Sequence, residues 1–174
     1  MLVCSDGSNK IAEQILNGKK PRNIHFNAKN NNEETAFFLA CSSGQFEIVR
    51  LLLEHFESDR IDFNAKNKNG ENAFLQACLN GQNEIVNLLL EQSLHKKIDV
   101  NAKNKNEENA FDLACSNQQI TTLKLLLEQI ESNSNAINAK TANEGNAFHL
   151  ACSSDQIRSM KLVIAENTLE FWGY

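Results

Sequence analysis

Asn64-Ala65-Lys66-Asn67-Lys68-Asn69-Gly70-Glu71-Asn72-Ala73-Phe74-Leu75-Gln76-Ala77-Cys78-Leu79-Asn80-Gly81, continued by Gln82-Asn83-Glu84-Ile85-Val86-Asn87-Leu88-Leu89-Leu90, is the stretch on which the fold turns. Its first eight residues are turn formers with almost no apolar content, which reads as an exposed finger. Asn72 stands where a helix N-cap belongs, its side chain able to accept from a backbone N–H two or three residues on. Phe74, Ala77 and Cys78, three and four residues apart, mark a short first helix over 72–80, and Gly81 ends it by taking the left-handed conformation without a Cβ penalty. A second helix over 83–94 carries two apolar stripes, Ile85 with Leu88 and Leu89, and Val86 with Leu89 and Leu90. A helix so broadly apolar must be covered on more than one side, as in a stack.

Outward from this unit the chain repeats itself. Asn-Ala-Lys recurs at Asn27, Asn64, Asn101 and Asn138, each 37 residues from the last. Ala36, Ala73, Ala110 and Ala147 keep the same step before phenylalanine, and so do Cys41, Cys78, Cys115 and Cys152. Shifting Ile48, Leu52 and Leu53 back by one period lands on Ile11, Ile15 and Leu16, so 9–17 reads as an orphan second helix. The reading is one continuous domain: a half repeat or cap over 1–24, units over 25–61, 62–98 and 99–135, and a last unit with its cap over 136–174. The half repeat is either a native cap or the edge of a longer array. No single unit could bury its own apolar faces, so the units must stack.

This order of residues resembles the ankyrin repeat. Gly81, Glu84-Ile85-Val86, Leu88-Leu89-Leu90 and Asp99-Val100-Asn101-Ala102 fall in the family's sequence, and Thr35-Ala36-Phe37-Phe38-Leu39-Ala40-Cys41 stands where its Thr-Pro-Leu-His stretch belongs. The resemblance implies an all-α solenoid of stacked helix-turn-helix units with projecting finger turns. Departures accompany it. Alanine replaces the family's proline throughout, and its histidine survives only as His149, with Phe38, Leu75 and Asp112 at the equivalent positions. The period is 37 where the family commonly has about 33. The additional residues fall after the second helix, around 92–98, and one more helical turn, about four residues, absorbs them most simply. Gly44 and Gly81 become Gln118 and Asp155, Thr121-Thr122 and Arg158-Ser159 replace Glu-Ile, and the later units are therefore expected to fray first. The family's finger asparagine can be hydroxylated when leucine lies eight residues upstream; Asn64, Asn101 and Asn138 have Phe56, Ser93 and Ile130 there and depart from that pattern.

Composition narrows the function. The chain of 174 residues is 41% hydrophobic and 22% charged, an ordinary globular mixture, with net charge -5 and pI about 5.4. It has no overall basic field for a phosphate backbone or an anionic membrane, so neither nucleic acid nor membrane is an expected partner. No stretch has signal-peptide or membrane-spanning character, and five cysteines without a C-x-x-C pair fit a reducing compartment. A cytoplasmic or nuclear location follows as the expectation. The periodic cysteines read as small core residues, too far apart between units to pair. His25, His55, His95 and His149 have no ligand spacing, no phosphate loop or hydrolase motif occurs, and no catalytic group, metal or cofactor is expected. The lysine ladder Lys29, Lys66, Lys103 and Lys140 could be an anion track, but the interspersed Glu33, Glu34, Glu71, Glu107 and Glu108 favour a solvated finger face.

What remains is binding. The resemblance implies a protein partner of unknown identity held on the concave face, by finger tips and the exposed side of the first helices. By register these are Asn31, Asn32, Glu34, Ser42 and Ser43; Lys68, Asn69, Glu71, Leu79 and Asn80; Lys105, Asn106, Glu108, Ser116 and Asn117; and Ala142, Asn143, Gly145, Ser153 and Ser154. Leu79 is the one apolar anchor in an otherwise polar surface. Phe171, Trp172 and Tyr174 either seal the end of the stack or meet a partner. The leading reading is a non-catalytic scaffold, monomeric in preference to a homodimer. Its rivals are the recognition domain of a larger enzyme such as a ligase or kinase, and a self-associating fragment.

Overall fold

The finger turns are built by asparagine. In the computed structural model, which describes residues 25–55 and 60–132, the Asn67 side-chain oxygen accepts from the backbone N–H of Asn69 and of Glu71, both at 2.9 Å. Its amide nitrogen donates to the Glu71 carboxylate at 2.8 Å. Asn30 and Asn104 repeat the arrangement with Glu34 and Glu108. One side chain thus satisfies the backbone of each tip, and the fourth tip residue takes positive φ at Glu33, Gly70 and Glu107.

Each finger feeds a short helix and then a longer one: α1 (Ala36–Ser42) and α2 (Phe46–His55), α3 (Ala73–Leu79) and α4 (Asn83–Lys96), α5 (Ala110–Ser116) and α6 (Ile120–Ser132). Thr35, Asn72 and Asn109 cap the short helices, accepting from Phe38, Leu75 and Asp112 N–H groups. At Asn109 the cap is reciprocal, since the Asp112 carboxylate accepts from the Asn109 backbone N–H at 2.9 Å. Gly44 and Gly81 are left-handed at the turns between helices, and Gln118 keeps that conformation at φ 58° without being glycine. The second helix expected to end at Leu94 runs to Lys96, fourteen residues in all. The longer period is therefore taken up in helix, ending at Lys97 in the left-handed region.

Short helices pack on short and long on long, α1 on α3 on α5 and α2 on α4 on α6, giving two layers. Between them lie Phe37, Phe38, Val49, Phe74, Leu75, Ile85, Val86, Leu89, Phe111 and Leu126, all essentially inaccessible, with Cys41, Cys78 and Cys115 among them. Phe37 meets Phe63 edge to face at 4.9 Å. Phe38, Leu75 and Asp112, at the family's histidine position, are all buried.

The units are sewn together by polar bonds at the fingers. The Asn27 side chain accepts from Asp62 N–H and donates to the Arg60 carbonyl, and Asn64 does the same to Asp99 and Lys97, at 2.7 Å each. The half repeat over 1–24, the last unit with Asn143, Cys152 and His149, and the Phe171, Trp172 and Tyr174 end lie outside the described residues.

Candidate partner-binding face

Fingertips of neighbouring units are joined main chain to main chain, Lys68 N–H donating to the Asn32 carbonyl at 3.0 Å and Lys105 N–H to that of Asn69 at 2.9 Å. These rungs hold Asn31, Asn32, Lys68, Asn69, Lys105 and Asn106 in one exposed row. A second row lies at the ends of the short helices, with Ser43, Asn80, Ser116 and Asn117 exposed and Ser42 half-buried. Asn80 reaches across the seam to the Ser42 carbonyl at 3.0 Å, and Gln119 to that of Leu79 at 3.4 Å.

Three of the residues read from register as contacts are committed elsewhere. Glu71 is buried, at 8% exposure, its carboxylate held by the Asn67 and Asn69 amides. Glu34 and Glu108 are half-buried in the same bond to Asn30 and Asn104. These carboxylates close the fingers, and the recurring Asn and Glu four residues apart was the signal of it. Leu79 is half-buried and packs on the core, so only part of it is presented. The exposed large apolar side chain among the described residues is Leu94, at 84%, on the outer layer. It lies in the lengthened part of α4, where register with the other units gave no warning.

The lysine ladder has a structural role as well as an exposed one. Lys29 Nζ donates to the Lys66 carbonyl and Lys66 Nζ to the Lys103 carbonyl, both at 3.1 Å, so each ties its unit to the next. Lys29 and Lys103 also lie 3.9 and 3.5 Å from Glu33 and Glu107. Such exposed pairs contribute little to stability.

The buried thiols have the opposite of a reactive setting. Burial pushes the Cys78 thiol far up, and burial together with the Asp112 charge raises Cys115 to about 11. No group of three or more His, Cys, Asp or Glu is placed to hold a metal among the described residues. A hollow of about 360 Å³ at the seam of the first two units is lined by Gly44, Phe46, Gln82, Asn83, Glu84 and Ile85. Glu84 is the one carboxylate there and has no second ionisable group in the lining to act with. None of the described helices is long and apolar enough to cross a membrane.

No curated protein matches the chain. A family model described as ankyrin repeats, in three copies, matches residues 1–104, and with finger, short helix and long helix recurring in the stacked order described, the chain belongs to the ankyrin-repeat family.

Proposed function

We infer that the chain is a non-catalytic scaffold that grips another protein across its fingertips and the ends of its short helices, the face that is concave in this family. Ankyrin repeats are in general protein-interaction modules. The observation that carries the reading is the pair of main-chain rungs, Lys68 to Asn32 and Lys105 to Asn69. They fix a row of exposed amides and ammonium groups before any partner arrives. A surface ordered in advance loses less conformational entropy on binding.

The test compares capture from a lysate of the source by three forms of the chain. Ser43→Arg with Ser116→Arg places bulk on two exposed positions whose side chains make no bond among the described residues, and Glu84→Lys with Glu91→Lys alters the outer layer. A protein retained by the native chain and the outer-layer variant but lost from the serine variant supports the reading. Loss from the outer-layer variant alone overturns it and moves the binding face to the long helices.

A further inference from the structure

We propose that the finger side of the second and third units receives an acidic segment of its partner in polyproline II conformation, with carboxylates three residues apart paired to Lys68 and Lys105. This rests on the fingertip face being the binding face. The strict ladder of Lys29, Lys66 and Lys103 draws the eye in the sequence, yet Lys29 and Lys66 are tied to the next finger's carbonyl, and Lys103 lies beside Glu107. Two steps along the finger, Lys68 and Lys105 are exposed and have no ion pair or side-chain hydrogen bond among the described residues.

Their surroundings suit an anion. The neighbouring short helices α1 and α3 carry no charged side chain, and the aspartate of α5 is buried in its own cap. Of the finger carboxylates, Glu34, Glu71 and Glu108 are bound to asparagine amides, and Glu33 and Glu107 stand beside Lys29 and Lys103. The other exposed glutamates among the described residues, Glu47, Glu54, Glu84, Glu91 and Glu128, are on the long helices, and the exposed Asp62 and Asp99 accept from the Asn64 and Asn101 backbone N–H groups before each finger. In a chain of net charge -5, the finger side of the described residues thus presents Lys68 and Lys105 without an ion pair.

Spacing selects the conformation of the guest. Lys68 and Lys105 sit at one register of adjacent units, and adjacent packed helices are about 8–10 Å apart. A β-strand returns to the same face about every 6.7 Å, or 13 Å at the second return. A polyproline II chain returns every three residues, about 9 Å, and leaves its backbone solvated and open to side-chain amides. Asn69 and Asn106, exposed beside the two lysines, each give one amide N–H to Glu71 or Glu108 and keep the second for a guest.

The probes are dye-labelled proline-rich peptides with cores Glu-Pro-Glu, Glu-Pro-Pro-Glu and Glu-Pro-Pro-Pro-Glu and their glutamine counterparts, titrated by fluorescence anisotropy at low salt. The three-residue step should bind tightest and weaken as salt rises. Lys68→Glu with Lys105→Glu should cost on the order of tenfold, because reversal replaces attraction with repulsion at both ends. Lys97→Glu, on the far end of α4, should change little; circular dichroism checks that each variant is folded. No binding, no preference among spacings, or an equal loss with Lys97→Glu overturns the proposal. If the serine variant loses its captured protein while the peptides ignore Lys68 and Lys105, the face stands and its acidic guest falls. If neither responds, both fall.

Discussion

At Gln118 a side chain occupies backbone that glycine fills in the two preceding units, with φ 58° against 73° at Gly44 and 65° at Gly81. Left-handed backbone costs an ordinary residue about 1 kcal/mol, so Gln118→Gly should raise stability by about that amount, read as a higher urea midpoint at unchanged slope. The thiols give a second expectation at this scale. Both Cys78 and Cys115 are raised in the fold, so the protonated form is the one the fold favours, and their contribution is complete below the ordinary thiol range. Stability should fall as pH rises above about 9, with the Cys115 share of that fall levelling off above about 11, where the folded thiol titrates too. Urea titrations across that range should show a shallower fall for Cys115→Ala; equal slopes would assign the loss to other groups. The caps were legible in the sequence because an N-cap depends on its own neighbours, as Thr35 and Asn72 show. The place of Glu71 was not, because register gives a residue its position along the finger and says nothing of whether an amide already holds it.

Between α4 and α6 the seam contains a hydrogen bond in place of an apolar contact. Thr122 Oγ1 donates to the Asn83 side-chain oxygen at 2.7 Å, and Thr122 is wholly buried. The same registers hold Ile48 and Ile85 for Thr122, and Phe46 and Ile120 for Asn83. Two departures from the pattern, unremarkable singly, therefore compensate each other across 39 residues. Thr122→Val should cost about 1 kcal/mol by leaving the Asn83 amide without this partner, whereas Asn83→Ile with Thr122→Val should be neutral or stabilising. Thermal midpoints of the four forms in a double-mutant cycle decide it, and additive changes would show that the bond is not coupled. The helix pair itself was legible from apolar spacing, and the two-residue underestimate of α4 came from its polar end. Gln92, Ser93 and His95 carry no apolar period there, and the left-handed Lys97 is what stops the helix.

Across the molecule, stability is shared among units through seams, and Asn64 holds one of them at two points, Asp99 N–H and the Lys97 carbonyl. Asn64→Ala should remove roughly 1–3 kcal/mol and, by loosening the coupling of the second unit to the third, lower the denaturant slope as the array begins to unfold in parts. An unchanged slope with a simple midpoint shift would show that the apolar layer alone keeps the units coupled. The period of 37 made the architecture readable, since Asn, Ala and Cys recur in one register; the seams were not readable, because donors and acceptors meet there only once neighbouring units are stacked. Those seams also set how the chain finds its fold. Their side-chain bonds join residues between 27 and 40 positions apart, so closing each one costs nearly the same loop entropy wherever it lies. Relative contact order then falls as units are added, and a gene that gains or loses one 37-residue unit leaves the search for the native state as short as before.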